Sequence, residues 1–112
     1  MARNMSFAMT TDQIRARTKT VTRRIGWWFL KPGDEVCAVE KVMGFQKGER
    51  IKPLCMIRIL STRRTPLNAI TQADVIKEGF PDWTPTQFVE MLVDHYKIDP
   101  SVTMNRIEFK YI

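Results

Sequence analysis

A chain of 112 residues, 44% hydrophobic and 27% charged, has material for one modest core and little room for a second domain. Its formal charge is +6, and five of its 18 Lys and Arg residues crowd into the run RARTKTVTRR (Arg15 to Arg24), while the other 13 nearly balance the 12 acids. Charge so localised marks a phosphate-bearing partner or a solvated face, and with no apolar run near the roughly 20 residues of a membrane span, a cytoplasmic protein without a membrane partner is expected.

In chain order, Met5 to Met9 (MSFAM) is a short apolar run suited to a strand. TTDQIRAR predicts a helix of about two turns, with Thr10 or Thr11 as its N-cap and Asp12 where the dipole favours an acid. The β-branched run TKTVT ends it. KPGD (Lys31 to Asp34) is a turn signal, EVCAVEKVMGF reads as a strand, QKGERIK turns the chain, and LCMIRILSTRR is the next strand. Cys37 and Cys55 lie in these two strands. They are too few for a disulfide framework or a metal set, and read as small buried thiols in a reducing compartment. Ile70 to Phe80 predicts a helix capped by Thr71 and stopped by Gly79, with Asp74 as a capping-box-like acid. Glu78 falls in its last turn, where an acid opposes the dipole. A second helix starts at Thr84-Pro85, with Phe88, Met91, Leu92 and Tyr96 on one face. Arg106 to Ile112 alternates strictly, as a strand does. The sum is an α+β fold, one domain around a small, partly closed sheet.

Several short motifs in this order carry a resemblance. Lys19-Thr20-Val21-Thr22-Arg23-Arg24, then Leu30-Lys31-Pro32-Gly33-Asp34, then Pro66-Leu67-Asn68-Ala69-Ile70-Thr71 leading to Glu78-Gly79-Phe80, and the closing Ile107-Glu108-Phe109, together resemble the ASCH family. These are small β-barrel proteins of the PUA-like group, and the overall look is most similar to the compact members carried by phages and prophages. The resemblance implies a PUA-like β-barrel with short helices and, as partner, RNA or a modified nucleoside. The family signature, roughly Gly-x-Lys-x-x-Glu-x-Arg, falls on Arg17, Lys19, Thr22 and Arg24, so this chain departs from it at the Gly and Glu positions. A Thr at the Glu position is similar to one subgroup, the bacterial enzymes that hydrolyse the acetyl amide of N(4)-acetylcytidine. That likeness implies Lys19, Thr22 and Glu78 as catalytic residues, with no metal or organic cofactor. Other members are described as RNA-binding, some with ribonuclease activity. A non-catalytic RNA-binding module and a metal-independent ribonuclease are therefore the alternatives.

The chemistry sets its own conditions. A Thr hydroxyl needs a base, and Lys serves only if its pKa falls from about 10.4 towards neutrality. Arg17, Arg23 and Arg24 are cations placed to depress Lys19. Glu78 would raise it, and so suits an orienting partner or a donor to the departing amine. In a regular strand Lys19 and Thr22 point to opposite faces, so a shared pocket requires irregular backbone over Thr18 to Thr20. Thr20, Thr22 and Arg24 share a parity and offer a hydroxyl-and-guanidinium binding face. Of Trp27 and Trp28 at most one faces the site as a stacking platform, assigned to Trp28, and Arg64 closes one side of the basic face. Trp83 is expected to pack against a helix. His95 has no second partner for metal or triad chemistry and reads as a packed or surface residue.

Overall fold

The computed structural model describes residues 3–112. Five strands, β1 (Arg3–Ser6), β2 (Val21–Arg24), β3 (Glu35–Val39), β4 (Pro53–Pro66) and β5 (Thr103–Tyr111), form one sheet in the order β1-β3-β4-β5-β2. β1 runs parallel to β3, and the other pairs are antiparallel. Three short helices, α1 (Thr11–Arg15), α2 (Gln72–Lys77) and α3 (Pro85–Tyr96), complete a curled half-barrel of the α+β class, as the PUA-like description requires. No helix among the described residues is long and apolar enough to cross a membrane.

β5 is the strand around which both cores assemble. Alternate residues of a strand face opposite sides. Ile107 and Phe109 enter a cluster inside the curl with Met5, Phe7, Ile14, Val36, Ile57 and Ile59, whereas Met104 joins Leu67, Val75, Phe88 and Leu92 beneath α2 and α3. Each large side chain buried this way contributes about 1.5–3 kcal/mol against the entropy of ordering it. β4 serves both halves because it is long and broken by a register shift between Ile59 and Ser61. Such a bulge sharpens the local bend and lets the sheet curl.

The curl is left open. β1 and β2 are the two edges of the sheet, and the gap between them is spanned by a side chain: Arg24 Nη2 donates to the Ser6 carbonyl at 2.6 Å.

Several expected boundaries shift. The first strand ends at Ser6, since Ala8 and Met9 already turn the chain. The strand after KPGD stops at Val39, where pairing with β4 changes register, and residues 40–52 are irregular. β5 begins at Thr103, ahead of the alternating segment. Cys37 and Cys55 are half-buried free thiols, not fully buried ones. The Trp27-Trp28 pair lies in a turn, with Gly26 at φ 107 and Trp27 at φ 57, so strand parity does not govern it.

Candidate functional site

The site begins at the end of α1. Ile14 is buried and anchors the helix, which closes with Thr18 N–H on the Gln13 carbonyl and Arg17 N–H on that of Ile14. That paired closure needs a left-handed residue, normally glycine, and here Arg17 holds φ 60. From Thr18 to Thr20 the backbone is irregular, as the parity argument demands, and β2 starts only at Val21. Three hydrogen bonds pin the stretch: the Tyr111 hydroxyl to the Lys19 carbonyl, Thr20 N–H to Lys77 O at 2.8 Å, and Phe109 N–H to Thr20 O at 3.0 Å.

α2 delivers the carboxylates. Thr71 Oγ1 accepts from Asp74 N–H and caps the helix, and Glu78 stands at its C-terminal cap. Gly79 follows at φ 104 against Gln13 of α1, where an added Cβ would meet Gln13 Cγ at 2.7 Å. That close approach brings Glu78 to Lys19. Lys19 Nζ donates to Glu78 Oε1 at 2.7 Å and to its backbone oxygen at 2.8 Å.

The pair continues as a buried ionic ladder. Arg23 donates to Glu78 Oε2 at 3.0 Å and to Asp74 Oδ2 at 2.7 Å; Arg106 then holds Asp74 through both carboxylate oxygens, at 2.7 and 3.0 Å. Register explains the meeting, since Arg23 and Arg106 are cross-strand partners and two cations side by side need an anion between them. Asp74 therefore does not act as a capping-box acid. Its carboxyl is held well below the usual range by Arg106 and, despite burial, by Arg23. Lys19 is pulled below its ordinary value, first by burial and then by Arg24 and Arg23, while Glu78 opposes the shift. Arg17 takes no part in that balance.

These groups open into a cleft of about 390 Å³ along the β2 edge. Its polar side carries Lys19, Thr22, Arg23, Arg24 and Glu78, and its apolar side includes Phe7 of the first core with Phe88 and Leu92 of the second. Arg24 Nε donates to Thr22 Oγ1 at 3.0 Å, fixing the hydroxyl, and its guanidinium lies 4.7 Å from the Phe7 ring centroid. Of the residues expected at the site, Lys19, Thr22, Arg23, Arg24 and Glu78 thus come together, with Arg23 engaged by two carboxylates.

The others stand apart. Arg17 lies over the Tyr111 ring at 5.3 Å, and Thr20 is occupied through its backbone. Trp28 and Arg64 stack on each other at 4.2 Å, and neither lines the cleft. Trp83 stacks on Phe80, with ring centroids 4.5 Å apart, and packs under the helices. Sequence reasoning missed Asp74 and Arg106 as part of the ladder, and Tyr96 and His95 at the cleft wall. Helical spacing from Phe88 through Leu92 to Tyr96 is the signal that could have found Tyr96. Among the described residues no group of three or more His, Cys, Asp or Glu side chains could hold a metal ion.

No protein-family model matches the chain, and no curated protein matches it either. Solved structures do. A DUF984 protein from Enterococcus faecalis V583 superposes over 100% of this chain and 77% of its own, with a TM-score of 0.71 at 17% identity. An ASCH domain from Lactobacillus crispatus JV V101 superposes over 97% and 78%, with a TM-score of 0.73 at 15% identity. The hypothetical protein PH0355 covers both chains fully, at a TM-score of 0.69 and 13% identity. At such identities the likeness is one of fold: the chain shares the architecture of ASCH and DUF984 proteins.

Proposed function

We propose that the cleft binds a cytidine-type nucleoside and hydrolyses an acyl amide on its N4 nitrogen. The observation that carries this reading is the opening of Lys19 and Thr22 into one half-apolar cleft, with the Glu78 carboxylate hydrogen-bonded to the lysine amine. A nucleobase suits such a space, its faces against Phe7 and Phe88 and its polar edge towards the charged floor. Burial lowers the Lys19 pKa, which favours the neutral amine a base must be, while the Glu78 carboxylate orients it. Thr22 Oγ1 then attacks the acyl carbon while its proton goes to Lys19. Arg24, already on that oxygen, stabilises developing negative charge. Collapse breaks the C–N4 bond, Lys19 returns the proton to N4, and water releases the acyl group from Thr22 by the same steps.

The test is incubation of the purified protein with N(4)-acetylcytidine, following release of cytidine by chromatography. Turnover by the wild type, abolished in Thr22→Ala, is the expected result. No release by the wild type overturns the catalytic reading.

One observation favours a second reading. Lys19 is bonded to Glu78 and Thr22 to Arg24, and no hydrogen bond joins Lys19 to Thr22. A pocket so arranged holds a base without breaking a bond. In that case Thr22→Ala binds RNA or nucleoside as the wild type does, and neither protein turns over.

A further inference from the structure

Beside the cleft lies a second cavity of about 250 Å³, lined by Arg24, Ile25, Trp27 and Tyr96. Arg24 and Tyr96 also line the cleft, so the two spaces share a wall. The second cavity is built by the turn after β2. Asn105 Nδ2 holds the Trp27 carbonyl at 3.0 Å, and the Trp27 ring packs on the inner core and on Phe29, with centroids 5.6 Å apart. Ile25 and Tyr96 are about half exposed and leave the cavity open to solvent.

Arg24 sits at the junction as a fixed cation. Its Nε is held by Thr22 and its Nη2 by Ser6, while Nη1 has no hydrogen bond among the described residues and is not sealed from solvent. Two adjoining cavities, each with an aromatic wall and with a guanidinium between them, complement two nucleobases joined through a phosphate. A lone nucleoside leaves both Nη1 and the second cavity unused.

We propose that the Arg24, Ile25, Trp27 and Tyr96 cavity is a second nucleobase subsite, and that the cleft takes a nucleotide within a single strand whose linking phosphate lies against Arg24. This rests on the reading of the cleft as a nucleoside site and names its substrate class as single-stranded RNA.

Calorimetry on the intact protein compares N(4)-acetylcytidine with a dinucleoside monophosphate that joins N(4)-acetylcytidine to adenosine. The dinucleotide is expected to bind at least about tenfold tighter, the range of one stacked base. Its affinity, unlike the nucleoside's, falls with added salt at a log–log slope of about −0.7 for one phosphate. Ile25→Glu, at a half-exposed position outside the cleft, is expected to remove the advantage and leave nucleoside affinity unchanged. Equal binding of the two ligands by the wild type, or an equal loss of both in Ile25→Glu, overturns the second subsite while the cleft reading stands. Absence of binding by both ligands to the wild type overturns both.

Discussion

Lys19 Nζ lies 2.7 Å from Glu78 Oε1, across 59 residues of sequence, and both side chains are less than 5% exposed. A pair this deep is more informative when broken than when counted, because removing one partner strands the other charge in a dry site. Glu78→Gln keeps the shape and removes the anion, and is expected to cost about 3–5 kcal/mol at neutral pH. The sign of its pH dependence follows from Lys19. Its pKa lies below the ordinary 10.5 in the fold, so between the folded value and 10.5 the unfolded chain binds more protons and stability rises with pH. Losing Glu78, which raises that pKa, widens the window. The deficit of Glu78→Gln should shrink as pH climbs from 7 towards 10 in thermal melts; a constant deficit would mean that the pair is not ionic.

For Asp74 the sign is the same and the window lies at the acid end. Arg106 and Arg23 hold its carboxyl well below the usual range, so its contribution is complete above about pH 4 and disappears as pH falls through the depressed folded value. Asp74→Asn is expected to cost about 3–5 kcal/mol at pH 7 by leaving Arg23 and Arg106 as facing cations. Chemical denaturation at pH 7, 4 and 2 should show wild type and variant converging at the acid end.

Much of the site was legible because it depends on local rules. Thr71 and Thr84 announce their caps, and the parity conflict between Lys19 and Thr22 announces the irregular stretch before β2. The ladder was not legible. That Arg23 faces Arg106 is a matter of register between β2 and β5, some eighty residues apart, and no local pattern encodes it. Asp74 looked like a capping acid because it occupies that place in the helix, and its carboxylate was claimed by two arginines from other strands. Trp28 and Arg64 drew attention as an aromatic and a cation, and they found each other instead of the cleft.

Under the proposed chemistry, turnover requires the neutral Lys19 amine. The rate should rise with pH and level off below pH 10.5, at the lowered pKa. Arg24 is among the cations that depress it, so Arg24→Gln should move the inflection to higher pH and slow the plateau, whereas Arg24→Lys should leave the inflection nearer the wild type. Glu78→Gln should move it to lower pH. Rate–pH profiles of the four proteins decide this, and a profile indifferent to all three substitutions removes Lys19 as the base.

Gly79 tests how the site is held. It combines φ 104 with a backbone approach that puts a Cβ 2.7 Å from Gln13 Cγ, and its carbonyl accepts from Gln13 Nε2 at 3.3 Å. Ala at this position meets two separate penalties, a disfavoured backbone and a collision with α1, and about 1–3 kcal/mol of destabilisation is expected. The two penalties come apart in a double variant. Gln13→Ala removes the 2.7 Å contact with Cγ but leaves the position-13 Cβ at 3.1 Å and φ unchanged, so Gln13→Ala with Gly79→Ala should recover part of the loss but not all of it. Because Glu78 immediately precedes the contact, Gly79→Ala should also loosen Lys19 and reduce ligand binding, and the Gln13→Ala background should restore binding more fully than stability. Denaturation midpoints and nucleoside affinity measured on the four proteins of the cycle separate the two effects; full recovery of stability in the double variant would show that the left-handed backbone costs nothing there.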